Sequence, residues 1–189
     1  MSSDVLPGSG LSSSAAYEVL VGTMLNWLYN DGKASPVLVA KVGQFAENNY
    51  FGKPCGLMDQ CASAVGGFCL MDFADPASPE VASIPCAPAD YGYALCLIDA
   101  GGSHANLTDG YAAIPPEMRA GAKLLGQEGL GEAQEADFYA RLGELRGQVP
   151  DRALLRAMHF YGDNQRVLEQ TEALRQGDFQ RFLALVRAS

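Results

Sequence analysis

The sequence is short of positive charge. It has 13 lysines and arginines against 22 aspartates and glutamates, a net charge of −9. Such a surface repels nucleic acid and anionic membrane, so neither is expected as a partner. No apolar run approaches the ~18 residues that suggest a membrane-spanning helix. The five cysteines, Cys55, Cys61, Cys69, Cys86 and Cys96, include no C-x-x-C pair, and no histidine lies near any of them. That spacing argues against a zinc site. Their odd number, with no signal peptide, points to reduced thiols in a cytoplasm, most of them small buried apolar residues. Repeats and low-complexity tracts are absent too. What remains is an ordinary globular composition, 48% hydrophobic and 19% charged over 189 residues. That length allows one domain or two small ones with a buried core.

An acidic protein that binds phosphate must make positive potential locally, from backbone N–H groups, a helix end or a metal. Residues 6–20, "LPGSGLSSSAAYEVL", have the composition for it. Gly8 and Gly10 let the backbone turn sharply and approach a ligand. Ser12, Ser13 and Ser14 then lead into a helix N-terminus, where N–H groups, hydroxyls and the helix dipole favour an anion. Neither a Walker A loop nor a dinucleotide fingerprint fits: no Lys-Ser/Thr follows the last glycine, and the third glycine is missing. A flexible leader or a serine-rich helix cap accounts for the stretch as well on spacing alone.

The pattern predicts a helix over 12–30, with Ala15, Ala16, Val19, Leu20, Thr23, Met24, Trp27 and Leu28 on one face and Trp27 in the core. Ser35-Pro36 starts a second helix running to about Asn49. "LMDQCASAVG" reads as a short helix stopped by Gly66-Gly67. "FCLMDF" and "YALCLIDA" read as strands, with a Pro/Ala/Ser-rich connection at 74–90 as the candidate domain boundary. The rest is helical: one helix from near Pro116, two more over 132–146 and 151–176, and a last amphipathic segment after Gly177-Asp178. The order of elements gives an α+β class rather than a doubly wound sheet.

Two acids stand out. Asp59 is the one charge in "PCGLMDQCASAVGG", where a carboxylate among Leu57, Met58 and Cys61 is costly to bury unless paired or used. A first-turn helix acid stabilised by the dipole is the alternative. Glu47, in "GQFAENNYFG", sits near a helix C-terminus, where a carboxylate calls for a cation partner. Phe45 and Ala46 are expected to face inward, and spacing alone favours an exposed surface glutamate at Glu47. His104 reads as an ordinary loop residue and His159 as packed in a helix. Asp72 and Asp99, at strand ends, suit either a cleft or a turn cap.

Taken together these stretches resemble the GHMP kinases, and galactokinases more narrowly. "PGSGLSSSAA" is similar to the second GHMP motif, which holds ATP phosphates on a Gly/Ser loop. "AENNYFGKPCGLMDQCASAVGG" resembles the galactokinase A-E-N segment followed by C-G-[IL]-M-D-Q. "DAGGSHANLTDGYAAIPPEM" resembles the stretch with a sugar-contacting tyrosine, and "RAMHFYGDNQRVLEQTEALRQGDFQRFLALVRAS" the late helical segment. The resemblance implies a GHMP-kinase-like α+β fold, with residues 1–88 as the rear part of a ribosomal-protein-domain-like N-terminal domain. Residues 89–189 are then the front part of a ferredoxin-like C-terminal domain. It implies a phosphate loop of Gly8, Ser9, Gly10, Leu11, Ser12, Ser13 and Ser14, with Ser14 and Glu47 as Mg²⁺ ligands. It makes Asp59 the catalytic base against the sugar's anomeric hydroxyl and Tyr111 a sugar contact.

ATP, Mg²⁺ and galactose are the ligands so implied, in a cytoplasmic enzyme. A sensor that binds sugar and nucleotide without turnover, and a GHMP kinase for another sugar or alcohol, stay open beside it. The family's first motif, with its G-E-H-x-D run and the arginine that steadies the base, is not found in the sequence, nor is the glycine-rich third motif. "YAAIPPEMR" also replaces the arginine-rich run that follows the tyrosine. The expectation is therefore an internal piece of a longer enzyme, without measurable kinase activity on its own.

Overall fold

The computed structural model describes Val5, residues 10–98 and residues 108–189, except for the side chains at positions 108, 109 and 111. The chain divides into two compact units, Met1–Ser103 and His104–Ser189.

The first unit holds three helices and a hairpin: α1 (Ser13–Asn30), α2 (Pro36–Asn49), α3 (Met58–Val65), β1 (Phe68–Asp72) and β2 (Glu80–Ile84). Each boundary has a local cause. The turn after α1 places Asp31 and Gly32 at positive φ, and Asn26 fastens it through paired side-chain hydrogen bonds with Ala34, 3.0 Å each. Ser35 caps α2 by accepting from the Leu38 N–H at 3.2 Å, with Pro36 in the first turn as anticipated. Gly66 and Gly67, both at positive φ, end α3 and redirect the chain into β1. The strands pair antiparallel from Phe68↔Ile84 to Asp72↔Glu80. Asp72 Oδ1 accepts from the Ala74 N–H at 2.8 Å, so the turn-cap reading of Asp72 is the one observed.

The small core of this unit gathers Ala40, Leu57 and Cys61, with Ala64, Met71, Phe73 and Val81 packed against it. Helices α1 and α2 approach closely because glycines face the partner helix. A Cβ on Gly22 would lie 2.9 Å from Val39 Cγ1, and one on Gly43 would lie 3.2 Å from Glu18 Cβ.

Several expectations are corrected here. Trp27 is not core but 69% exposed. The face that α1 buries is marked by Ala15 and Val19, and the Trp27 ring lies over Gly32 in the turn instead. The connection at 74–90 contains β2, while residues 93–98 form no strand, because the sheet among the described residues has two strands and gives them no ladder. Of the cysteines only Cys61 is buried; Cys55, Cys69 and Cys86 are half-buried and Cys96 is exposed. Asp99 and His104 lie outside the described residues.

The second unit is helical: α4 (Thr108–Leu124), α5 (Glu135–Leu145), α6 (Asp151–Arg175) and α7 (Phe179–Ala188). Helix α4 begins at Thr108, not near Pro116, and carries Pro115 and Pro116 inside it. It lacks two hydrogen-bond donors there, which is why the sequence favours a start at the prolines. Phe138, Leu145, Leu154, Ala157 and Tyr161 form the core with Ala122 and Leu130. His159 is exposed on α6, four residues before Asp163, rather than packed. The 25-residue length of α6 leaves faces free of neighbours, and position 159 falls on one.

Candidate active site

The loop before α1 turns through Gly10, at φ 76°, and Ser12, at φ 53°. The second is the less ordinary, because an L-residue in the left-handed region meets its own carbonyl sterically. Ser12 stands at the N-cap of α1, yet its side chain makes no cap bond. The hydroxyl instead donates to the Asp59 carboxylate, 47 residues away in sequence. A serine serving only as a helix cap would bond the N–H groups of the first turn. Here Ser12 leaves them without that bond.

Asp59 occupies the first turn of α3 and is exposed. The burial cost expected of it does not arise; it has the first-turn dipole position, and its carboxylate accepts from the serine loop. Two helix N-termini thus open toward the same hydroxyl–carboxylate contact. Gly10 and Leu11 are exposed beside it, and Ser13 and Ser14 are half-buried. Gly8 and Ser9 lie outside the described residues.

Glu47 is not the exposed surface residue that spacing favoured, and Phe45 does not face inward. Glu47 is 4% exposed, while Phe45 is exposed. Helix α2 buries Val39, Gly43 and Glu47, one residue every four, and Phe45 falls on the other side. Both oxygens of the buried carboxylate are partnered. Lys53 Nζ donates to Oε1 at 2.7 Å and Gln60 Nε2 to Oε2 at 3.1 Å. Burial alone would push its pKa up. Hydrogen bonds from Lys53, Cys55 and Ser14 outweigh that and hold it below the ordinary glutamate value.

Gln60, 1% exposed, also donates to Glu18 Oε2 at 3.3 Å. Burial pushes the Glu18 carboxyl above its usual value, against the Gln60 hydrogen bond, with the Glu47 charge adding to the rise. The Cys55 thiol is pushed up to about 11, by burial and then by its hydrogen bond to Glu47. Lys53 is the cation that the position of Glu47 called for. Lys53 and Gln60 are the two residues that reading the sequence passed over. Beside Asp59 in the sequence Gln60 carries no signal of its own, and only the fold shows it turned inward.

A cleft of about 490 Å³ runs between α1 and α2, with Ser14, Glu18, Glu47 and Lys53 at its polar end and Val21, Leu25, Val42 and Phe51 along its walls. The structure therefore brings Ser12 to Asp59 and Ser14 to Glu47. Tyr111 lies on α4, and its side chain is outside the description.

Residues 1–67 match the family model of the GHMP kinases N terminal domain. All 189 residues align with the galactokinase of Actinobacillus pleuropneumoniae serotype 3 (strain JL03), at 36% identity and over 48% of that protein. The galactokinase of Haemophilus influenzae (strain ATCC 51907 / DSM 11121 / KW20 / Rd) aligns at 35% identity with the same coverage. The chain is a galactokinase homologue. It spans about half the length of these curated relatives. Its fold matches a crystal structure of Lactococcus lactis galactokinase complexed with galactose, with a TM-score of 0.68 and 25% identity, over 98% of this chain and 47% of that one. The α+β class and the GHMP-kinase-like fold of this homologue are thereby those that the motifs imply. Among the described residues of the homologue no helix is long and apolar enough to cross a membrane.

Proposed function

We propose that this chain carries the phosphate loop, metal pair and catalytic base of a galactokinase, transferring the γ-phosphoryl group of ATP to the anomeric hydroxyl of galactose in the cytoplasm. The observation that carries the reading is the Ser12–Asp59 contact, because it joins a helix mouth suited to phosphate to an exposed carboxylate with the chemistry to take a proton. Residues 8–14 receive the β- and γ-phosphates through N–H groups and hydroxyls at the start of α1. Asp59, oriented by Ser12, accepts the hydroxyl proton as the sugar oxygen bonds to phosphorus and the bond to the ADP oxygen breaks. Tyr111 contacts the sugar.

The donor set suits Mg²⁺. Among the described residues no group of three or more His, Cys, Asp or Glu side chains could hold a metal by itself. One buried carboxylate, Glu47, and one hydroxyl, Ser14, interact at the polar end of the cleft. A small hard cation held by one or two protein oxygens and completed by phosphates needs no more. When bound it neutralises charge on the phosphates.

The test is galactose-dependent ADP release by full-length protein, wild type against Asp59→Asn. Loss of about 10²- to 10⁴-fold with nucleotide binding retained is expected. Full turnover by the variant removes Asp59 as base. Tight binding of sugar and nucleotide without ADP release in the wild type replaces the kinase with a sensor.

A further inference from the structure

We propose that Lys53 is a resident counter-cation on the Glu47 carboxylate, which a divalent ion must displace, so that Lys53 sets how tightly the site takes metal. The inference rests on reading Ser14 and Glu47 as the metal pair and adds a residue to it. Three observations point this way.

First, both oxygens of the Glu47 carboxylate already hold a donor. Oε1 receives the Lys53 ammonium at 2.7 Å and Oε2 the Gln60 amide at 3.1 Å. A metal approaching Oε1 meets a positive charge already in contact with it, and the two cannot share that oxygen without strong repulsion.

Second, Lys53 is attached so that it can leave and return. Its backbone N–H donates to the Glu47 carbonyl at 3.2 Å, which keeps the side chain within reach of the end of α2. The side chain itself is 65% exposed, against 5% for that of Glu47. Swinging the ammonium into water uncovers the carboxylate and costs no core packing.

Third, the cluster is built around negative charge. Glu18 and Glu47 share the single amide of Gln60, whose Oε1 has no partner among the described residues. The amide nitrogen thus serves both carboxylates, and the Cys55 sulfur at 3.7 Å, while its own acceptor goes unused among the described residues. Of the described charged side chains at this end of the cleft, Lys53 is the only cation. Without it the cluster is a pair of acids, the arrangement that draws a divalent ion.

The experiment titrates Mn²⁺ into the chain and follows the free-ion electron paramagnetic resonance signal, in wild type, Lys53→Met, Lys53→Arg and Lys53→Met with Glu47→Gln. Lys53→Met is expected to bind Mn²⁺ roughly tenfold or more tightly than wild type, the scale of removing one charged hydrogen bond. Lys53→Arg, which keeps the charge, is expected to stay within a few-fold of wild type. Adding Glu47→Gln is expected to erase the gain. Equal affinity in Lys53→Met and wild type, with dependence on Glu47 intact, overturns the role of Lys53 and leaves the metal pair standing. Mn²⁺ binding that ignores Glu47→Gln overturns the metal pair and the inference with it. Lys53→Gln repeats the test if Lys53→Met loses its helical circular dichroism.

Discussion

Ser12 offers a test in which backbone and side chain can be separated. Its φ of 53° places a non-glycine residue in the left-handed region, and its hydroxyl holds Asp59. Ser12→Ala keeps the backbone cost and removes the bond. Ser12→Gly removes both. Left-handed backbone costs an L-residue about 1–2 kcal/mol relative to its ordinary conformation. Glycine returns about 0.4–1 kcal/mol of this through the greater freedom of its unfolded chain. The hydrogen bond is exposed, so its loss costs about 0.5–1.5 kcal/mol in either variant. Glycine should therefore be the more stable of the two by roughly 0.5–1 kcal/mol, close to wild type, while alanine falls about 1 kcal/mol below it. Thermal unfolding resolves this, since 1 kcal/mol moves Tm by about 4–8 °C in a unit of ~100 residues. Alanine as stable as glycine, or more stable, would mean that Ser12 does not sit in the left-handed region. The loop geometry that turns its hydroxyl from the helix to Asp59 would then be wrong.

Three further outcomes follow from other parts of the chain. Phe138→Ala, at a position with 0% exposure in the helical unit, should cost about 3–5 kcal/mol in denaturant unfolding. Arg152 first, then Arg156, holds the Glu117 carboxyl below its ordinary value of 4.5. That contribution is present above pH 4.5 and is lost as pH falls through the lowered folded value, so Glu117→Gln should flatten the acid limb of a stability profile below this pH. In alkylation with iodoacetamide at about pH 8, exposed Cys96 should react first, while Cys55, half-buried with its thiol pushed up to about 11, should label only as pH approaches that value.

The helices were largely legible because local chemistry decides them. Ser35-Pro36, Asn30-Asp31-Gly32 and Gly66-Gly67 act within a few residues, and the helices start or stop where those signals stand. The strands were less so. Residues 93–98 have strand composition, but a strand exists only through a neighbour's hydrogen bonds, and composition cannot supply the neighbour. β2, spelled Glu-Val-Ala-Ser-Ile, hid in a stretch punctuated by proline, and its pairing with β1 rather than its own propensity makes it a strand.

The site divides in the same way. That Asp59 and the serine loop meet could be read only from motifs, since 47 residues separate Ser12 from its partner. Glu47 had a local signal that the sequence reading missed. Val39, Gly43 and Glu47 recur every four residues, and taking Phe45 for the buried side followed hydrophobicity where the helical period should have ruled. Lys53 had none: nothing in "YFGKPCG" says that its ammonium turns back along the chain to a carboxylate six residues earlier. Gly52 at positive φ and the Lys53 N–H on the Glu47 carbonyl make that reversal; the glycine marks a turn but not where the next side chain goes. The same reversal lets one flexible cation guard a buried acid. The residue least visible in the sequence is thus the one that, on the proposal above, sets the metal affinity of the cleft.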